Sequence, residues 1–207
     1  MTPEDIAALF TRSTGEFAFA RWGRPIAPVA FGVDDTTLVT LKDALQAVSA
    51  LSGQDLAELD PELGVNQMWF FLRDWSELAE VRDLDRMIPD LAPLIERLQE
   101  AGANQYRIFR FDENGAIRAA FVFLRMDGEL SALPAEVLCL SQAVQTILLW
   151  SDRAFADRSP LALAGGVTIL RPEVGALIRA AHDPVLPAYS NDPTHALRLY
   201  ARMNRAQ

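Results

Sequence analysis

Apolar residues recur along the chain in two rhythms, and the alternation between them predicts a domain of mixed helix and strand. Thr2 can cap a first helix in which Pro3 suits the opening turn, Glu4 and Asp5 complement the positive helix end, and Ile6, Leu9 and Phe10 form one face. Glu16 to Trp22 alternates Phe17, Phe19 and Arg21 against Ala18, Ala20 and Trp22, a strand rhythm that Gly23 and Pro25 end. Ile26 to Val33 can be extended again, with Pro28 confining it to a sheet edge. From Thr37 to Ser52 the steps between Leu38, Leu41, Leu45, Val48 and Leu51 are helical, and Gly53 supplies the stop. Asn66 to Leu72 reads as a buried strand, followed by helices over Trp75–Asp83 and Pro89–Ala101.

The second half opens on the clearest local signal. Two apolar runs, Gln105–Phe111 and Ala116–Leu124, flank Asp112-Glu113-Asn114-Gly115. Asn-Gly between extended runs predicts a hairpin through a type I′ turn, with Phe111 facing Arg118, Phe109 facing Ala120 and Ile108 facing Phe121. Both faces then carry large apolar groups, so the hairpin belongs in the middle of a sheet. The longest helix is expected over Pro134–Phe155, apolar on most of its circumference and therefore lying across the domain. Gly165-Gly166 reads as a turn; helices follow over Pro172–Ala181 and Pro193–Met203, separated by a Pro-containing turn at His182–Pro187. No repeat or linker divides the chain, so residues 1–207 are read as one α+β domain, a small mixed or antiparallel sheet packed against several helices.

Composition narrows the function classes. Half of the 207 residues are apolar, enough for a core without disulfide or metal staples. The net charge of −9 argues against a nucleic-acid partner, which needs a cationic surface. Lys42 is the only lysine, an imbalance that fits a GC-rich genome. Apolar runs fall short of the ~20 residues that span a bilayer, and no basic-then-apolar leader opens the sequence. The expectation is a cytoplasmic chain with no membrane association, the alternative being export through a segment outside this sequence. Cys139, flanked by Leu138 and Leu140, reads as a buried structural thiol more readily than as a nucleophile.

Signatures of catalysis are missing. His182 and His195 fall on different expected elements, and no His-Glu-x-x-His helix places two imidazoles on one face, so no metal and no cofactor are expected. Gly-x-Ser-x-Gly, the P-loop and Gly-x-Gly-x-x-Gly are all lacking. Two polar sets remain as candidates for ligand binding. Ser141, Gln142 and Gln145 interrupt the core-like face of the long helix, and the two glutamines are neighbours in a helix. They serve either as amides bonded to sheet backbone or solvent, or as the floor of a pocket. Arg107 and Arg118 are expected on one hairpin face, where guanidinium groups need carboxylate or phosphate partners. Those partners are internal carboxylates in one reading and an anionic ligand in the other.

Trp22 and Pro25, the strand Asn66–Leu72, the long helix and the Asp183-Pro184-Val185-Leu186 turn, taken in order, resemble an uncharacterised bacterial family of domains of unknown function with a zincin-like core. The resemblance implies that Ser141-Gln142-Ala143-Val144-Gln145 occupies the window where zinc peptidases of that shape carry His-Glu-x-x-His. Ser141 would replace the first zinc histidine, Gln142 the general base and Gln145 the second histidine. Amides and serine are poor zinc ligands and a glutamine is no base, so zinc peptidase activity is not expected. The leading expectation is a non-catalytic binding or interaction domain for a peptide or protein partner. The rival is an enzyme that holds a small anionic molecule with Arg107 and Arg118, and a third possibility is an architectural subunit.

Overall fold

In the computed structural model, which describes residues 1–54 and 56–205, a four-stranded mixed sheet is sandwiched between two helical layers. The chain enters through helix α1 (Pro3–Phe10), where Thr2 and Asp5 close a reciprocal cap. A two-residue strand β1 (Phe19–Ala20) precedes β2 (Pro28–Phe31), helix α2 (Asp35–Ser52) and β3 (Gln67–Leu72). A 3₁₀ turn over Trp75–Glu80 and helices α3 (Leu84–Met87) and α4 (Leu91–Glu100) lead to the hairpin β4 (Gln105–Phe111) and β5 (Ile117–Arg125). Helix α5 (Ala135–Ile147), a second hairpin β6 (Leu161–Ala164) and β7 (Val167–Leu170), helix α6 (Pro172–Ala181), strand β8 (Tyr189–Ser190) and helix α7 (His195–Arg205) complete the order.

The sheet runs β2-β3-β5-β4, with β2, β3 and β5 parallel and β4 antiparallel to β5. It is therefore the mixed form of the α+β fold. Pro28 opens β2 on one edge, as a residue without an N–H requires. Alternation along the strands feeds two cores. Trp69, Phe71, Val122 and Leu124 face the layer that contains α2, α5, α6 and α7. Phe70, Leu72, Phe121 and Phe123 face Trp75, Leu78 and the helices around Leu84, Leu94 and Leu98. No helix among the described residues is long and apolar enough to cross a membrane.

The strand expected over Glu16–Trp22 is reduced to Phe19–Ala20 and the helix expected over Trp75–Asp83 is a 3₁₀ turn; three further differences have a plain physical reason. The β4–β5 loop has three residues instead of two: Gly115 N–H donates to Asp112 C=O at 3.1 Å, and Asp112 N–H to Ala116 C=O at 2.9 Å. Only Gly115 takes positive φ, +78°, against the ring of Tyr189, where a Cβ would meet ring carbon at 2.5 Å. The pairs Phe109–Ala120 and Ile108–Phe121 stand as expected, but Phe111 faces Ile117, and Arg118 is the extra residue of a bulge. Next, the expected helix to Phe155 stops at Ile147, because Leu149 N–H and Ser151 N–H go to the carbonyls of Ala20 and Leu9. Finally, Gly165-Gly166, with φ +58° and +83°, is the turn of the β6–β7 hairpin, whose strands went unread.

Candidate functional site

The order of hydrogen bonding fixes what β4 presents to its surroundings. Arg125 N–H donates to Asn104 C=O at 2.8 Å, so alternate residues Tyr106, Ile108 and Arg110 bond β5. Gln105, Arg107 and Phe109 then turn their backbone N–H and C=O outward, away from the sheet. The same parity holds across β5, where Ala120 N–H points the other way, to Asn66 C=O at 2.8 Å. β4 is an edge strand, and among the described residues no backbone group bonds those outward groups.

A cleft of about 1020 Å³ lies along this edge. Its floor comes from β4 and from Ser141 and Gln145 of α5; its far wall is the segment from Leu149 to Pro160, with Trp150 and Phe155 prominent. The wall is held by aromatic packing, since the Trp150 ring stacks on Phe10 at 5.3 Å between centroids and meets the edge of Phe155 at 5.0 Å. One rim is the turn Arg12–Thr14, tied to the wall where Ser13 N–H and Oγ–H donate to the Asp152 carboxylate. Arg12 is exposed and has no carboxylate within ion-pair distance among the described residues. Asp152 and Asp157 are the carboxylates on the lining.

Arg107 is the chemical centre of this cleft. Its Nη2 donates to Gln105 Oε1 at 2.8 Å and to Gln142 Oε1, and Gln142 Nε2 donates to Gln105 Oε1 at 3.1 Å. Every partner is a neutral amide. Its Nε–H is shut off from solvent and has no acceptor among the described residues, and burial pushes the guanidinium down to about 10, so it stays charged at neutral pH. Gln142, 3% exposed, lies behind it as a positioning group. Gln145 Nε2 donates to Ser141 Oγ at 3.1 Å, so that pair presents its remaining polar atoms at the cleft floor.

Three of the four expected ligand-binding residues, Arg107, Gln142 and Gln145, thus converge. Arg118 does not join them. The bulge carries it to Glu62, which also pairs with Arg24 at 3.1 Å, and Arg24 reaches the buried Asp60 at 3.3 Å. Burial would raise the Asp60 carboxyl, but N–H donors from Leu63 and Glu62, the Asn66 amide and Arg24 outweigh it and hold the group at about 2. This network fastens the β5 bulge to the loop before β3. His182 and His195 lie elsewhere: Nδ1 of His182 sits 2.8 Å from Ile178 C=O, and the His195 ring packs on Phe19 at 4.4 Å. Cys139 is buried and its thiol is pushed up to about 11, first by burial and then by Glu136, as a structural thiol should be.

Sequence reasoning gives no sign of Arg12 or Phe155 as cleft residues, and the helix expected over Pro134–Phe155 runs through much of the far wall, where only Trp150 stands out as apolar surface for a partner. Otherwise only the amide pair on α5 and the arginine on β4 left a readable trace. Among the described residues no three His, Cys, Asp or Glu side chains gather into a metal-binding cluster. Comparison with family models, curated proteins and solved structures finds no match for this chain.

Proposed function

We propose that this chain is a non-catalytic binding domain that receives an anionic group of a partner in the cleft between β4 and the Leu149–Pro160 wall. The observation that carries the reading is Arg107, a cation out of contact with solvent at Nε whose hydrogen-bonded partners are amides only. A guanidinium in that setting gains strongly from a carboxylate or phosphate, which can take two parallel N–H donors. The glutamines hold the planar group in place without neutralising it, which leaves its charge for a ligand.

On the resemblance, Gln142 would stand where zinc peptidases carry a general base; its amide is a hydrogen-bond partner of Arg107. The rival reading, an enzyme gripping an anionic small molecule between Arg107 and Arg118, has less support, because Arg118 is paired with Glu62.

Titration with succinate, followed by NMR of the Arg107 Nε–H and the Gln145 side-chain amide, tests the proposal. Saturable shifts that weaken about tenfold or more in Arg107→Gln are expected, the loss of a charge-assisted hydrogen bond. Saturable binding unaffected by Arg107→Gln, or by Gln142→Ala and Gln145→Ala together, would sink the cleft as the site.

A further inference from the structure

Two independent observations meet at β4, and together they say what shape of ligand the cleft takes. Gln105, Arg107 and Phe109 present backbone N–H and C=O groups with no backbone partner among the described residues, in the geometry of a strand awaiting a neighbour. Beside them lies a guanidinium with no carboxylate partner among the described residues. Resting on the anion-site reading above, we propose that the cleft binds an extended acidic peptide segment, which adds to β4 as a fifth strand and sets one carboxylate side chain against Arg107.

The register follows from strand geometry. Side chains of Gln105, Arg107 and Phe109 point to the α5 face, so alternate side chains of an added strand do the same. The residue opposite Arg107 is the acidic one, since directly opposed pairs of unlike charge stabilise. The cleft that would receive the residues two places to either side is lined by Leu149, Trp150 and Phe155, which favours apolar groups there. The recognised pattern is apolar, any, acidic, any, apolar. Arg12 on the exposed rim adds a second cation along the path. Asp152, bonded by Ser13, and Asp157 on the wall disfavour a second acidic residue on that side.

Charge also distinguishes this occupant from a second copy of the chain. A two-fold pairing of β4 with itself centred on Arg107 would set two guanidinium groups directly opposite, and like charges across strands repel. An extended acidic peptide supplies both the missing ladder bonds and the missing anion.

The probe is a capped heptapeptide of alternating valine and threonine with one central glutamate. Amide hydrogen exchange read by NMR is expected to slow at Gln105, Arg107 and Phe109 on binding, while Tyr106 and Ile108 are slow with or without it. N-methylation of the alternate peptide amides that face β4 should weaken binding about tenfold or more, and methylation of the other set should not. Replacing the central glutamate by glutamine should cost a similar factor.

Equal binding of both methylated forms, with the glutamate still required, overturns strand addition and leaves the anion site standing. Succinate binding without peptide binding has the same meaning. Failure of both probes removes both readings. A free chain that is already dimeric, with those three amides protected, shows that a second copy holds the edge and refutes the peptide.

Discussion

Arg107 sits in a position that stability alone would not select. A charge drawn away from water and given only amide partners costs more than it returns, and apolar replacements of such groups are commonly neutral or stabilising. Arg107→Met keeps the length of the side chain and removes the charge. Made together with Gln142→Leu, so that no buried amide oxygen loses its donor, it should leave the unfolding free energy unchanged or raise it by about 1 kcal/mol in urea titrations while abolishing succinate binding. A clear loss of stability would mean that the arginine is there to tie Gln105 to Gln142, and the case for a ligand would weaken. The contrast with Arg118 is instructive. Residue type and strand position made the two arginines look equivalent; one bulge separated them, handing Arg118 to Glu62 and leaving Arg107 alone. No composition or periodicity argument reports a bulge, because it depends on which loop closes the hairpin. Asn-Gly fits a two-residue loop, but Asp112 bonds the N–H groups of Asn114 and Ala116 and favours three residues.

At the level of elements, the C-terminus of α5 decides the shape of the cleft. The last carbonyls of a helix have no partner within it, and here two indoles supply donors. Trp22 Nε1–H reaches Thr146 C=O and Trp150 Nε1–H reaches Val144 C=O, each at 2.8 Å. The chain then leaves the helix for the backbone of Ala20 and Leu9, and the freed segment becomes the cleft wall. The apolar pattern from Pro134 to Phe155 could not reveal that stop, since no glycine or proline marks it and the capping donors come partly from far along the chain. Helices α2 and α6 were legible, because Gly53, Pro172 and clean periodicity are local signals. Trp22→Phe keeps most of the buried ring and deletes one donor, leaving Thr146 C=O unpaired in the core. Unfolding stability should fall by about 1–3 kcal/mol, the cost of a buried polar group without a partner. A change within experimental error would show that the helix end is held by packing alone.

For the whole molecule, the two histidines connect folding to pH. Both belong to the C-terminal part of the chain, which closes the larger core: His182 ends α6, and His195 opens α7 under Phe19, with β8 between them pairing to β1. Burial lowers His182 to about 4, with the nearby Arg21 adding to the effect and the Ile178 carbonyl opposing it. Burial also lowers His195 to about 4, helped by Arg198 and opposed by Asp192. Both imidazoles are therefore neutral in the fold, and in the unfolded chain they titrate near ~6.5. A group whose folded pKa is depressed contributes stability that is complete above the unfolded value and lost as pH falls toward the folded one. Stability should thus be level above pH ~7 and fall between ~6.5 and ~4, by up to about 1.4 kcal/mol per pH unit for each histidine. The Asp60 carboxyl, held at about 2, adds its own loss only below pH ~4. Among the described residues His195 has no hydrogen-bond partner at either ring nitrogen, so His195→Leu removes a proton site without orphaning another of those groups. Urea unfolding at a series of pH values should give a slope in the variant about half that of the parent chain, with near-equal stability at pH ~7.5. An unchanged slope would mean that His195 is not neutral because of burial, and that the acid sensitivity of the C-terminal part comes from His182 or from the carboxylates around it.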